Sequence, residues 1–314
     1  MKNSAGANPD SQRSFSVRVP ASTSNLGPGF DCFSLALQLY LTVTATPVPD
    51  GRPLCRVTNS GEGSDILSST EDNLIYRAMS FVAEHEGWSL PPVQLDVRND
   101  LPLGRGLGSS AAAIIAGLTL CPLICEQQLA TETLLRYAFE LEGHADNVTA
   151  AYYGGLIVSC VKPDGKVIAV KRSWPEALKI IVVSPDAMLK TAAARQALPT
   201  SLTRDDAVYN LQRVALFGAA IENGAYDLLW EAMQDRMHQP FRQSLVPGLT
   251  EALATKPQPG LVGVALSGSG PSVVALVLDN SQAIGESIAN NFRKQGMPAT
   301  VRMLEVDQDG RTVS

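Results

Sequence analysis

Residues 102–125 read PLGRGLGSSAAAIIAGLTLCPLIC. Between Leu107 and Cys125 there is no charged side chain, so length alone makes the stretch a marginal membrane-span candidate. It opens on Gly108-Ser109-Ser110 and contains Pro122. An apolar run punctuated by turn and breaker residues reads instead as short buried elements of a globular chain. Ser110 to Leu120 is accordingly expected as a helix of small residues. The glycines before it let the backbone approach a phosphate and adopt positive φ. Ser109 or Ser110 can cap the helix, and its N-terminus offers free N–H groups to an anion. A serine hydroxyl there could also reach a phosphate-bound Mg2+. No Gly-Lys-Ser/Thr follows, so this is not a Walker A loop, and the dinucleotide fingerprint is absent too. Taken alone, the segment is also readable as a glycine-rich turn capped by serine.

A second uncharged run, Gly260 to Leu278, is cut by Ser267-Gly268-Ser269-Gly270-Pro271 and reads as two strands around a turn. No membrane span is expected from either run. Met1 to Ser14 are polar and lack the apolar centre of a signal peptide; they are expected as a disordered tail. The chain has 314 residues, 45% hydrophobic and 18% charged. That apolar content excludes a disordered chain, and the length suits one large or two moderate domains. A net charge of −6 without a Lys/Arg run lacks the footprint of a nucleic-acid binder. Polyanions must be met locally, which favours a small phosphate compound. Five cysteines, few and odd in number, fit reduced thiols in the cytoplasm better than a disulfide framework.

The periodicities place strands at Phe15–Pro20, Phe33–Thr46, Cys55–Thr58, Val93–Val97 and Leu156–Val161, and helices at Asn73–His85 and Thr131–Leu141. After Trp174-Pro175, the best boundary, come a strand at Leu178–Val183 and helical segments near 188–198, 204–223 and 225–236. Strands at Leu261–Leu266 and Ser272–Leu278, a helix at Gln282–Gln295 and a strand at Ala299–Val306 complete the chain. That is the ferredoxin-like order, with extra helices in the first crossover. The fold class is therefore α+β in two domains, 15–172 and 173–314.

Two more glycine-rich segments carry chemistry. PASTSNLGPGFD at 20–31 is too turn-rich for a strand and should display Asn25 and Asp31 from a loop, although Asx hydrogen bonding alone would explain both residues. SGSGPS at 267–272 is a tight turn suited to close ligand approach, or a bare hairpin. With PLGRGLGSSAAA at 102–113, the three resemble the motifs of the galactokinase, homoserine kinase, mevalonate kinase and phosphomevalonate kinase (GHMP) superfamily, in the family's order. EDNLIYRA at 71–78, EGHADNV at 142–148, Thr191 with Arg195, and HQPFR at 238–242 are similar to the homoserine kinase branch.

The resemblance implies a ribosomal-S5-like first domain, a ferredoxin-like second domain, and ATP-dependent phosphorylation of the side-chain hydroxyl of L-homoserine in the cytoplasm, by an enzyme that forms a homodimer. Pro102, Leu103, Gly104, Arg105, Gly106, Leu107, Gly108, Ser109 and Ser110 would hold the triphosphate, with Asn73 near the adenine. Glu142 and Ser110 would hold Mg2+, which prefers such hard oxygen ligands. Asn25, Asp31, His144, Asn147, Thr191, Arg195, Arg242 and Gly268 would face the amino acid. Asp31 suits its ammonium, and Arg195 and Arg242 suit its carboxylate. Asn147, Asp146 and Arg195 would serve catalysis, with Asp146 either a base or a bystander to catalysis by positioning. Another acceptor within the superfamily, or a ligand sensor on the same fold, are the alternatives. His238 is expected to be structural.

Overall fold

Two long antiparallel strands form the spine of the first domain in the computed structural model, which describes residues 13–48 and 53–314. The tail expected at Met1–Ser14 lies outside the described residues except for its last two. Strand β1 (Phe15–Asn25) pairs with β2 (Gly29–Pro47), and their register shifts between Pro20 and Ala21. Beyond that irregularity β2 changes neighbours. Its far half pairs with β4 (Val93–Asn99), and its near half, Phe33–Leu35, pairs with β5 (Leu156–Val158 within Leu156–Val161). Strand β3 (Cys55–Gly61) joins β4 in parallel, as a crossover through helix α1 (Leu74–Glu86) requires. Strand β6 (Val167–Arg172), which shows no clear alternation in sequence, pairs with β5.

Helix α1 buries Ile75, Ala78, Met79 and Val82 along one face and ends at Gly87 in the left-handed region. Helix α2 (Ser109–Ile124) is apolar on all sides, and such a helix belongs inside a core. It packs between α1, α3 (Thr131–Glu142), α4 (Asp146–Tyr153) and β1. The uncharged run is thus a core helix. Among the described residues no helix is long and apolar enough to cross a membrane.

The second domain follows β7 (Lys179–Pro185) with α5 (Thr191–Gln196), α6 (Arg204–Asn223) and the short α7 (Leu229–Ala232), α8 (Gln239–Arg242) and α9 (Leu249–Leu253). Then come β8 (Leu261–Leu266), β9 (Val273–Val277), α10 (Ser281–Lys294) and β10 (Ala299–Leu304). Their sheet runs β10-β7-β9-β8, antiparallel throughout, which is the expected ferredoxin-like arrangement. Helix α10 closes one face with Ile284, Ile288 and Phe292. The other face, through Ile180, Val182, Val274 and Leu276, is continuous with the first domain's core. The last residues leave this sheet. Val306 bridges to Leu37, Asp307 accepts from the Tyr40 hydroxyl at 2.9 Å, and β11 (Thr312–Val313) pairs with β1. The stretch beyond Leu304 therefore belongs with the first sheet, not with a second domain running to residue 314.

Candidate functional site

The three glycine-rich segments meet in one cleft between the domains. Ser22–Asn25, expected as loop, continue strand β1 and are buried. They tolerate burial because each finds a partner across the cleft. The Ser22 backbone N–H donates to the Leu107 carbonyl at 3.1 Å, and Gly268 N–H to the Ser24 carbonyl at 3.1 Å. The Asn25 amide donates to the Gly268 carbonyl at 2.9 Å. Ser267 Oγ donates to the Gly106 carbonyl at 2.6 Å and contacts Thr23 Oγ1 at 2.9 Å. Each segment alone reads as a turn; together they form a single rigid wall.

The loop 104–108 ends on Gly108, the N-cap of α2, with φ 68°. Neither serine caps this helix with its side chain, contrary to expectation. Ser110 donates its hydroxyl to Glu142 Oε2 instead, and the first N–H groups of α2 keep their capacity for an anion. A Cβ on Gly108 would stand 2.1 Å from Ser22 Oγ, and one on Gly106 would stand 2.1 Å from the Ser267 carbonyl oxygen. Both glycines are thus required by the protein's own packing as well as by any close ligand.

Glu142 ends α3 and Asp146 starts α4, with His144 between them. His144 Nδ1 bonds Asp146 Oδ1 at 2.7 Å, and its Nε2 lies 3.7 Å from Glu142 Oε1. Burial pushes the Glu142 carboxyl up, only partly offset by the Ser110 hydroxyl and the His144 charge. For His144, burial pulls downward, but the bond to Asp146 prevails and holds the ring above its ordinary value. For Asp146, burial pushes upward, yet His144 and the Asn147 N–H outweigh it and the carboxyl sits below its usual range. Asn147 is pinned at both ends: its Oδ1 accepts from Ser22 Oγ at 2.9 Å and its Nδ2 donates to Ser24 Oγ at 3.1 Å. No periodicity announces helix α4, because Gly143 and a run of small residues hide it.

On the opposite wall Arg242 is 1% exposed. Its Nε donates to the Ala194 carbonyl at 3.1 Å, and Nη1 meets the Gly268 carbonyl and His238 Nδ1 at 3.3 and 3.2 Å. Among the described residues no carboxylate forms an ion pair with it. Burial, with the Arg195 charge adding, lowers its pKa to about 10. His238 is fully buried and its Nε2 contacts the Gly27 carbonyl at 2.7 Å, which makes Nε2 the protonated nitrogen and Nδ1 the acceptor for Arg242. The expected structural role of His238 is therefore specific: it aims an arginine. Arg195 pairs bidentately with Asp31, at 2.7 and 3.1 Å, and both guanidinium groups lie about one ring's reach from Phe30, 5.4 and 5.3 Å from its centroid. Thr191 Oγ1 is 3.4 Å from Ser269 Oγ at the rim.

All of the expected acceptor-facing residues line this cleft, as do the phosphate-loop residues other than Leu103. Leu103 and Asn73 line a neighbouring apolar cavity of about 210 Å3, which opens beside Ser109 and Ser110. Asn73 spends its side chain on structure: Oδ1 caps α1 through the Ile75 N–H at 3.0 Å, and Nδ2 donates to the Ser68 carbonyl at 2.8 Å. Ser24, Phe30, Leu189 and Ser269 also line the cleft; as isolated residues they carry no signal in the sequence.

The family model of the GHMP kinases N terminal domain matches residues 73–155, and that of the GHMP kinases C terminal domain matches 208–296. The chain belongs to the GHMP kinase family. Within that family it is similar to the homoserine kinase of Caldicellulosiruptor bescii, 38% identical over 300 residues that cover 95% of this chain and 96% of the relative. The homoserine kinase of Deinococcus radiodurans is 37% identical, covering 96% and 97%. Among solved structures, the homoserine kinase from Cytophaga hutchinsonii superposes with a TM-score of 0.84 at 27% identity, covering 98% of this chain and 99% of that one. A Lactococcus lactis galactokinase, at TM-score 0.71 and 16% identity, shares the GHMP kinase fold.

Proposed function

We propose that the protein transfers the γ-phosphoryl group of ATP to the side-chain hydroxyl of L-homoserine, giving O-phospho-L-homoserine and ADP. The observation that carries the acceptor assignment is Arg242: a buried guanidinium without a carboxylate, facing a cleft that also holds Asp31 and Arg195. A neutral sugar gives such a group nothing to bind, whereas an α-carboxylate matches it bidentately. The α2 N-terminus and the loop 104–108 receive the triphosphate, and the apolar cavity beside Ser109 receives the base.

Glu142 and Ser110 fit a Mg2+ ion. A buried carboxylate held up by desolvation, bonded to a hydroxyl and without a full cationic partner, is a hard-oxygen pair suited to that metal. Bound there with the triphosphate, Mg2+ would neutralise charge on the phosphates. In the transfer a bond forms between the acceptor oxygen and phosphorus, and the bond from phosphorus to the β–γ bridging oxygen breaks. The hydroxyl proton leaves as the new ester forms. Asp146, held ionised below its usual range and already accepting from His144 and Asn147, is a poor base; it positions His144. Asn147, clamped by Ser22 and Ser24, positions the acceptor hydroxyl. Such positioning with charge neutralisation suffices for a loose phosphoryl-transfer transition state. A cytoplasmic setting fits the reaction and the five free thiols.

An ADP-release assay with homoserine, mevalonate, galactose or no acceptor tests this reading. Homoserine alone should give turnover well above the acceptor-free rate. Equal rates with galactose would overturn the amino-acid assignment.

A further inference from the structure

The Asp31–Arg195 pair occupies the two charges that an amino-acid acceptor would use. Both Asp31 oxygens and both terminal Arg195 nitrogens are engaged with each other. The pair is 36% exposed on each side, at a cleft whose other cation, Arg242, is sealed in the wall. An ammonium reaching Asp31 must displace the guanidinium, and a carboxylate reaching Arg195 must displace Asp31. We infer that the pair is an exchange lock that selects zwitterions. A ligand with both charges replaces one ion pair by two, whereas a ligand with one charge opens the pair and strands the other member. Discrimination then comes from the cost of opening the lock as well as from the two ion pairs that replace it.

This inference rests on the amino-acid acceptor reading above, and it makes a prediction that simple charge matching does not. Asp31 has φ 54°, a left-handed conformation that Asn shares with Asp, so Asp31→Asn removes the charge without straining the backbone. In that variant Arg195 is free for a lone carboxylate. Calorimetric titration of the full-length native protein and D31N with L-homoserine and with 4-hydroxybutanoate, the analogue without an amine, gives the test. D31N should bind homoserine at least about tenfold more weakly, yet bind 4-hydroxybutanoate about three- to tenfold more tightly, the range expected for releasing a half-exposed ion pair. Arg195→Met is the mirror variant and a safeguard against misfolding of the first. It should bind 3-aminopropan-1-ol, the analogue without a carboxylate, about three- to tenfold more tightly than the native protein does. Unchanged or weaker binding of the single-charge analogues to the two variants, with homoserine still bound by the native protein, overturns the lock alone. Failure of the native protein to bind homoserine while it binds ATP overturns the acceptor reading and the lock with it.

Discussion

Replacing Arg242 by methionine should separate recognition from stability. The guanidinium makes three contacts, to the Ala194 and Gly268 carbonyls and to His238 Nδ1. At about 1 kcal/mol each, their loss would destabilise the fold by about 3 kcal/mol. Burial acts the other way. It lowers the Arg242 pKa from 12.5 to about 10, and that gap corresponds to about 3 kcal/mol spent on keeping the charge in the wall. Methionine fills a similar volume without charge, so the two effects nearly cancel. The urea midpoint should move by no more than about 1–2 kcal/mol equivalent. Recognition has no such offset, because removing the partner of a buried charged ligand group costs about 2–5 kcal/mol. The KM for homoserine should rise at least about thirtyfold, with the KM for ATP little changed. Steady-state kinetics beside urea denaturation of the same preparations decides the matter. A variant that loses more than about 3 kcal/mol of stability but keeps its homoserine KM would show that Arg242 is a structural strut, and the reasoning would fail.

Three further outcomes follow from the same geometry. Glu142→Gln should lower kcat by about a hundredfold, or ~2.7 kcal/mol of transition-state stabilisation, with the loss partly recovered at high Mg2+; normal turnover at low Mg2+ would place the metal elsewhere. Asp146→Asn should lower kcat by a factor that does not vary with pH, since the carboxylate positions His144; a loss confined to high pH would restore it as the base. His238 is buried and its pKa is depressed, chiefly by burial. As pH falls below about 6.5 the unfolded chain takes up a proton that the folded chain resists, and stability drops by up to about 1.4 kcal/mol per pH unit. In His238→Gln this component should vanish, so urea midpoints from pH 7 to 5 should fall less steeply; identical slopes in both proteins would contradict the neutral, arginine-aiming histidine.

Much of this was legible in the chain because local patterns and tertiary demands agree there. The periodicity of α1, the four strands of the ferredoxin-like sheet, and the break at Trp174-Pro175 are all carried by short-range alternation. The departures share one physical cause: the deciding partner is remote in sequence. Ser22–Asn25 look like loop because polar residues seldom fill a buried strand, yet Leu107, Asn147, Ser267 and Gly268 satisfy them from the other side of the cleft. Ser109 and Ser110 look like caps, and only the arrival of Glu142 shows why Ser110 does otherwise. Thr312–Val313 carry too little pattern for a strand, and β1 alone makes them one. Asp31 and Arg195 could be named individually as ligand groups, but their pairing across 164 positions appears only in the fold.

The most direct test of the account is the position of the transferred phosphate. Incubated with ATP, Mg2+ and L-homoserine, the protein should produce a single new phosphorus NMR resonance coupled to the terminal methylene protons of homoserine, in step with ADP. A resonance from inorganic phosphate alone, or from phosphate on the carboxylate, would contradict transfer to the side-chain hydroxyl.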